Sequence, residues 1–315
     1  MTFTAWRLAF RMQRLELLLF LAAAVLLVVA SLLIAWGTSE VRADFQACMQ
    51  RLGPGANCSP SSPSLNDFSL WGGLATLGAF LTPFAVGLVL GVPVVAREVE
   101  GRTAPIAWTL SRSRFRWLMQ RVIPLGVFVI VVSAAVGIGS ELVTRTNPFA
   151  DYTANPGFAD YTSRGLMLPI RGLVVLAVAI AVGAVVPRQL PALLLATGVT
   201  VALFVGLTLG MDAWMTSEAK PIPMADVRVG GPRIFDAAYR KDATGEVISM
   251  NDFYNRYGDV ALPDGEQDPP GFTQVAIGIP GEQYPTWAAR EAVILGTLAV
   301  AGGALATLVV TRRRP

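Results

Sequence analysis

The chain has 315 residues, of which 53% are hydrophobic and only 15% charged, with a net charge of +3. Soluble domains average about 25% charged residues, and here the apolar residues come in blocks, so lipid is the expected solvent for most of the chain. The absence of histidine removes the commonest general base and transition-metal ligand, and two cysteines alone cannot build a structural zinc site.

From the N-terminus, Phe3, Trp6 and Phe10 recur at helical spacing beside a second stripe of Arg7, Arg11 and Arg14. This predicts an amphipathic helix lying in the headgroup layer, with its arginines toward anionic lipid. A plain basic flank to the first span is the alternative. Six apolar stretches follow, at 17–36, 68–95, 122–143, 166–186, 191–211 and 287–310. Each holds roughly 20 residues or more, enough to cross about 30 Å of hydrocarbon at 1.5 Å per residue. The first exceeds the apolar core of a signal peptide and reads as a span. Pro83 and Pro93, with Gly87 and Gly91 between them, predict a kinked or unwound stretch in span two, or ordinary membrane-helix plasticity. The link 187–190 makes spans four and five an antiparallel hairpin.

Counting basic residues orients the chain. With both termini in the cytoplasm, the inner segments carry thirteen arginines against Glu16, Glu98 and Glu100, a net of +10, and the outer segments sum to −7. The excess lies in short segments beside the spans, where the positive-inside rule has most force. This places the protein as a multi-pass protein of a bacterial cytoplasmic membrane, the bacterial source being suggested by 23 arginines to 2 lysines.

Three outer loops are expected. Ser39–Asp67 holds Cys48 and Cys58, where an oxidising compartment favours a disulfide over two free thiols. The second contains a near-duplication, Phe149–Thr153 and Phe158–Thr162, read as two turns of similar build. The third, Asp212–Pro285, has 12 acidic and 6 basic residues and β-like runs at Val227–Val229, Val247–Met250 and Gln274–Ile279, as a small external domain would. Its Asp264-Gly265-Glu266-Gln267-Asp268 run lacks the alternating ligands of an EF-hand and reads as a solvated acidic turn; no metal site is expected.

The segment Ala96–Arg121 is too long for a plain connection and holds six of the thirteen inner arginines. Thr103 with Pro105, and Ser111 further on, are placed to open short helices. Such helices, parallel to the membrane, would form a docking surface for a soluble partner.

At this segment the sequence resembles the membrane subunits of ABC-2 type exporters. The resemblance rests on Glu98 or Glu100, then Gly101 with Thr103, then Ser111-Arg112-Ser113-Arg114, in a six-span topology with an amphipathic N-terminal helix; Arg102, between Gly101 and Thr103, departs from the commoner order. It implies a permease that pairs with a second permease subunit, identical or different, and with separate ATP-binding cassette subunits. Glu98, Glu100, Gly101, Arg102, Thr103 and Pro105 would bear on the ATPase, and Arg112, Arg114 and Arg116 would orient the coupling element. ATP and magnesium would be held by that partner, because this chain has no Gly-x-x-x-x-Gly-Lys-Ser/Thr phosphate loop.

The fold expected is therefore an all-α polytopic membrane protein: a transmembrane domain over 1–211 with a coupling element at 96–121, an extracellular mixed domain at 212–286, and span six with a basic tail at 287–315. Charge-free spans fit an apolar or amphipathic cargo, and the resemblance implies its export. An ion-coupled secondary transporter would place ionisable groups near the midplane, whereas Glu16, Glu141, Arg171, Arg290 and Glu291 lie toward span ends. Catalysis by this chain is disfavoured because no two carboxylates share membrane depth, and nothing points to nucleic acid. Of the rivals to a permease, a membrane sensor or scaffold is the one the sequence excludes least.

Overall fold

A computed structural model describes residues 13–52, 64–101, 113–146, 156–224, 227, 231–258 and 269–312. Among these, six helices are long and apolar enough to cross a membrane. The chain divides into two compact units, one of residues 1–148, 162–205 and 289–315, the other of 149–161 and 206–288.

The first unit is a helical bundle. Its helices are α1 (Arg14–Leu52), α2 (Ser64–Gly91), α3 (Pro93–Glu100), α4 (Arg114–Thr146) and α5 (Met167–Val185). To these it adds the first part of α6 (Gln189–Ser217) and most of α8 (Tyr284–Arg312). Helix α5 is the centre: 72% of its apolar window is buried, against 17% for α6 and for α8. Inside lipid the hydrophobic effect gives helices little reason to associate, so close backbone approach must do it. The residues along the α2–α5 seam are correspondingly small. Gly87 and Gly91, spaced as a Gly-x-x-x-Gly pair, face α5: a Cβ on Gly87 would lie 2.8 Å from Val175, and one on Gly91 2.6 Å from Ala179. Reciprocally, a Cβ on Gly183 would lie 2.7 Å from the Val92 carbonyl oxygen.

Of the readings open for the stretch around Pro93, the unwound one does not hold. Helix α2 runs through Pro83, Val92 keeps helical dihedrals, and its N–H donates to the Leu88 carbonyl at 3.2 Å. Pro93 occupies the first turn of α3, where its missing N–H costs least. The glycines thus serve packing and leave the backbone helical.

Helix α1 also departs from expectation. It continues to Leu52, so much of the expected loop from Ser39 is helical. The apolar run marks where lipid ends, but residues 39–52 contain neither glycine nor proline and many good helix formers, so the helix outlasts its hydrophobic part. Ser31, the lone polar residue of the first apolar stretch, seats against α4, where a Cβ on Gly139 would lie 3.1 Å from the Ser31 Cβ. Thr38 donates to the Ile34 carbonyl at 2.8 Å and lies 3.0 Å from the Thr146 hydroxyl.

The second unit holds a four-stranded antiparallel sheet in the order β1-β4-β2-β3, from β1 (Lys220–Pro223), β2 (Arg233–Lys241), β3 (Val247–Ser249) and β4 (Phe272–Ile279). Two of these match β-like runs in the sequence; β1 and β2 do not. Strand β1 carries Pro221 and Pro223 and lies at the sheet edge, the place where proline is tolerated. At alternating positions the two prolines leave its outer side without those donors, which blunts edge-to-edge pairing. In the remaining β-like run Val227 is helical, and Arg228 and Val229 lie outside the described residues.

Helix α7 (Met250–Tyr257) is capped by Ser249, whose Oγ accepts from the Asp252 N–H at 3.1 Å. It presents Phe253 to Tyr239 and Phe272, at ring-centroid separations of 4.3 and 5.0 Å. The second copy of the duplicated sequence is a buried aromatic turn: Phe158 and Tyr161 each pack edge-on against Tyr284, and Asp160 takes a left-handed φ of 49°. The first copy and Asp264–Asp268 lie outside the described residues.

Candidate functional site

Two ends of the bundle can be told apart by the contacts that tie them. At one, the Gln13 amide donates to the Leu90 carbonyl at 3.4 Å, and Arg114 donates to the Thr311 carbonyl at 3.2 Å. Leu17, Val95, Trp117, Ala184 and Val310 pack in one cluster, so the start of α1, the α2–α3 junction, the start of α4, the α5–α6 turn and the end of α8 share this end. Arg14, Arg97, Arg114, Arg116, Arg121, Arg188 and Arg312 all belong to these segments.

Within this end, the two glutamates of the candidate coupling motif take different places. Glu98 is turned inward, 7% exposed, and pairs with Arg121 of α4. The Arg121 guanidinium also lies 4.5 Å from the centroid of the buried Trp117 ring, a cation–π contact that strengthens when desolvated. Glu98 therefore joins α3 to α4 inside the chain.

Glu100 is exposed. Its Oε2 accepts from the backbone N–H of Gln189, the first residue of α6, at 3.0 Å. That N–H is one of the donors a helix start leaves unsatisfied, and a carboxylate there also meets the positive end of the helix dipole. Glu100 thus caps α6 from another helix and ties the end of α3 to it. Gly101 closes α3 by donating to the Arg97 carbonyl at 3.0 Å. At the start of α4, Ser113 accepts from the Arg116 N–H at 3.1 Å and caps the helix; Ser111 lies outside the described residues.

Arg102, Thr103, Pro105 and Arg112 lie outside the described residues, as do Phe3, Trp6, Arg7, Phe10 and Arg11. Arg14 is the exposed first residue of α1. Cys48, in the last turns of α1, is disulfide-bonded, while Cys58 lies outside the described residues.

The opposite end holds ion pairs that the sequence displays only as separate charges. Arg171 of α5 pairs with Glu291 of α8 at 2.6 Å, with side chains 6% and 3% exposed. Arg171 also donates to the Thr162 carbonyl, at the start of the chain leading into α5. Glu141 of α4 meets Arg145 at 2.8 Å and the fully buried Arg164 at 3.7 Å. Opposite charges near the ends of different apolar stretches were the available signal, but their pairing depends on which helices adjoin. No cluster of three metal-ligating side chains occurs among the described residues.

Residues 17–215 match the family described as ABC-2 membrane transporter related. Neither a curated protein nor a solved structure matches the chain.

Proposed function

Because the chain belongs to the ABC-2 membrane transporter family and is thus an ABC transporter permease, we propose that it exports an apolar or amphipathic substrate, driven by a separate ATP-binding subunit that docks on residues 96–121. In this reading the arginine-rich end faces the cytoplasm, in accord with the positive-inside rule, and the sheet-bearing segment between spans five and six is extracellular. The observation that carries the coupling role is the tie from Glu100 to the first N–H of α6. A partner that moves the segment after α3 pulls on α6 through this contact, and on α4 through Glu98 and Arg121. Spans two, three and five then move together around a pathway shared by two permease subunits. Glu141, Arg171 and Glu291 are already engaged in ion pairs near the span ends, which favours this reading over an ion-coupled transporter.

Glu100→Ala is expected to cost only about 1 kcal/mol of stability, the usual worth of a helix cap. Transport by the reconstituted complex should nevertheless fall while ATP hydrolysis persists. Normal transport by this variant would remove Glu100 from the coupling path.

The second permease subunit would pack on α6. Its apolar residues Leu194, Leu195, Val201, Val205 and Leu209 are exposed, and a Cβ added at Gly198, Gly206 or Gly210 meets nothing within 4 Å. Gly206 and Gly210 form a Gly-x-x-x-Gly pair, the spacing that lets two helices approach closely. Gly206→Leu with Gly210→Leu should leave the monomer folded and abolish the dimer, read by in-membrane cross-linking from a cysteine placed at Leu209. Undiminished cross-linking would move the interface elsewhere.

In the same reading Cys48, in the last turns of α1, and Cys58 form a staple on the external side. Non-reducing mass mapping of the intact chain should find them joined.

A further inference from the structure

Helices α4, α5 and α8 enclose an apolar groove of about 390 Å³, independent of the coupling contacts. Its walls include Met119, Ile123, Val127, Leu176, Val300 and Gly303, and none of its lining residues carries a polar side chain. Ile123, Val127 and Val300 are exposed, so the groove opens sideways from the bundle. Along α4 it runs from Leu118 to Ile130, about 18 Å at the helical rise of roughly 1.5 Å per residue. That is close to half of a hydrocarbon core of about 30 Å. A membrane-spanning helix of a partner would need the full thickness, whereas an acyl chain of one leaflet needs only this length.

The groove begins at the arginine-rich end. Arg116, exposed, precedes Met119 by three residues, which puts it on the same side of α4 as the groove wall. Arg312 closes α8 beyond the groove, beside the Thr311 carbonyl that Arg114 reaches. Apolar length for one chain with cations at its mouth fits a lipid with a negative headgroup, since each arginine near a surface adds attraction for anionic lipid. We infer that this groove is a binding site for one anionic phospholipid of the leaflet that meets the arginine-rich end, its acyl chain between α4, α5 and α8 and its phosphate against Arg116 and Arg312.

The test is native mass spectrometry of the full chain in mild detergent, with phosphatidylglycerol or phosphatidylcholine of identical acyl chains added. One phosphatidylglycerol per chain should be retained, about tenfold or more above phosphatidylcholine, the scale expected for two arginines at an anionic headgroup. Gly303→Phe, at a position where an added Cβ meets nothing within 4 Å, should abolish retention of both lipids. Arg116→Ala with Arg312→Ala should reduce phosphatidylglycerol to the phosphatidylcholine level. Arg188→Ala, at an exposed arginine of the same end, should change nothing. Equal retention of the two lipids, or retention that survives Gly303→Phe, would overturn the inference, as would a loss with Arg188→Ala matching that of the double variant. Photo-crosslinking of the unmodified chain with a phosphatidylglycerol bearing a diazirine in its acyl chain gives an independent reading. Adducts within 118–130 or 299–306 support the site, and adducts confined to other helices refute it.

Discussion

Glu291→Ala is expected to lower the stability of the helical bundle by about 3–5 kcal/mol, the scale for removing one partner of a buried ion pair. The loss arises because Arg171 is left with its charge among α5 and α8 and without its carboxylate, both side chains having been nearly inaccessible. Removing the charges together should be milder, since two apolar side chains need no compensation. Arg171→Met with Glu291→Leu should therefore recover most of the loss, short of the hydrogen bond to the Thr162 carbonyl, worth about 1 kcal/mol. Melting of the purified chain and its variants in one detergent measures all three. A double variant as unstable as Glu291→Ala alone would mean that the pair's surroundings, and not its charge balance, set the cost.

The second large effect is expected at Glu98. Its carboxylate is buried against Arg121, so Glu98→Ala should also cost about 3–5 kcal/mol. It should impair transport as well, because α3 and α4 flank the segment on which the ATPase would dock. Arg121→Met added to Glu98→Leu should restore the melting behaviour but not the transport if the pair transmits motion. Recovery of both would make Glu98 a purely structural residue. The contrast with Glu100 is informative: the exposed glutamate caps a neighbouring helix, so its loss should affect transport more than stability.

The number of spans is legible because each apolar block is long enough to dictate a crossing helix. Helix ends are not, because residues 39–52 are polar yet good helix formers, and α1 continues through them. The Gly87–Gly91 pair was visible as a spacing, but read with Pro83 and Pro93 it left a kinked or unwound stretch and ordinary helix plasticity both open. Only the proximity of Val175, Ala179 and Leu176 reveals it as a packing seam. Arg171 and Glu291 were visible as charges near span ends, but 120 positions separate them, and no local pattern pairs them. Glu98 and Glu100 read as equivalent members of one motif; the helical turn sends one into the bundle and the other to Gln189. Strand β2 escaped notice because Asp236, Ala237 and Ala238 give it little β character, and its register slips between Ile234 and Asp236. What holds it is pairing with β4 on one side and β3 on the other.

The most direct measurement is a mild-detergent purification of the tagged chain from its native membrane, with co-purifying proteins identified by mass spectrometry and assayed for ATP hydrolysis. An ATPase subunit in stoichiometric amount, lost when residues 101–113 are replaced by a Gly/Ser linker while the chain still inserts and melts cooperatively, is the predicted result. Recovery of the chain alone, or with a cytosolic partner lacking a phosphate loop, would contradict the ATP-driven reading.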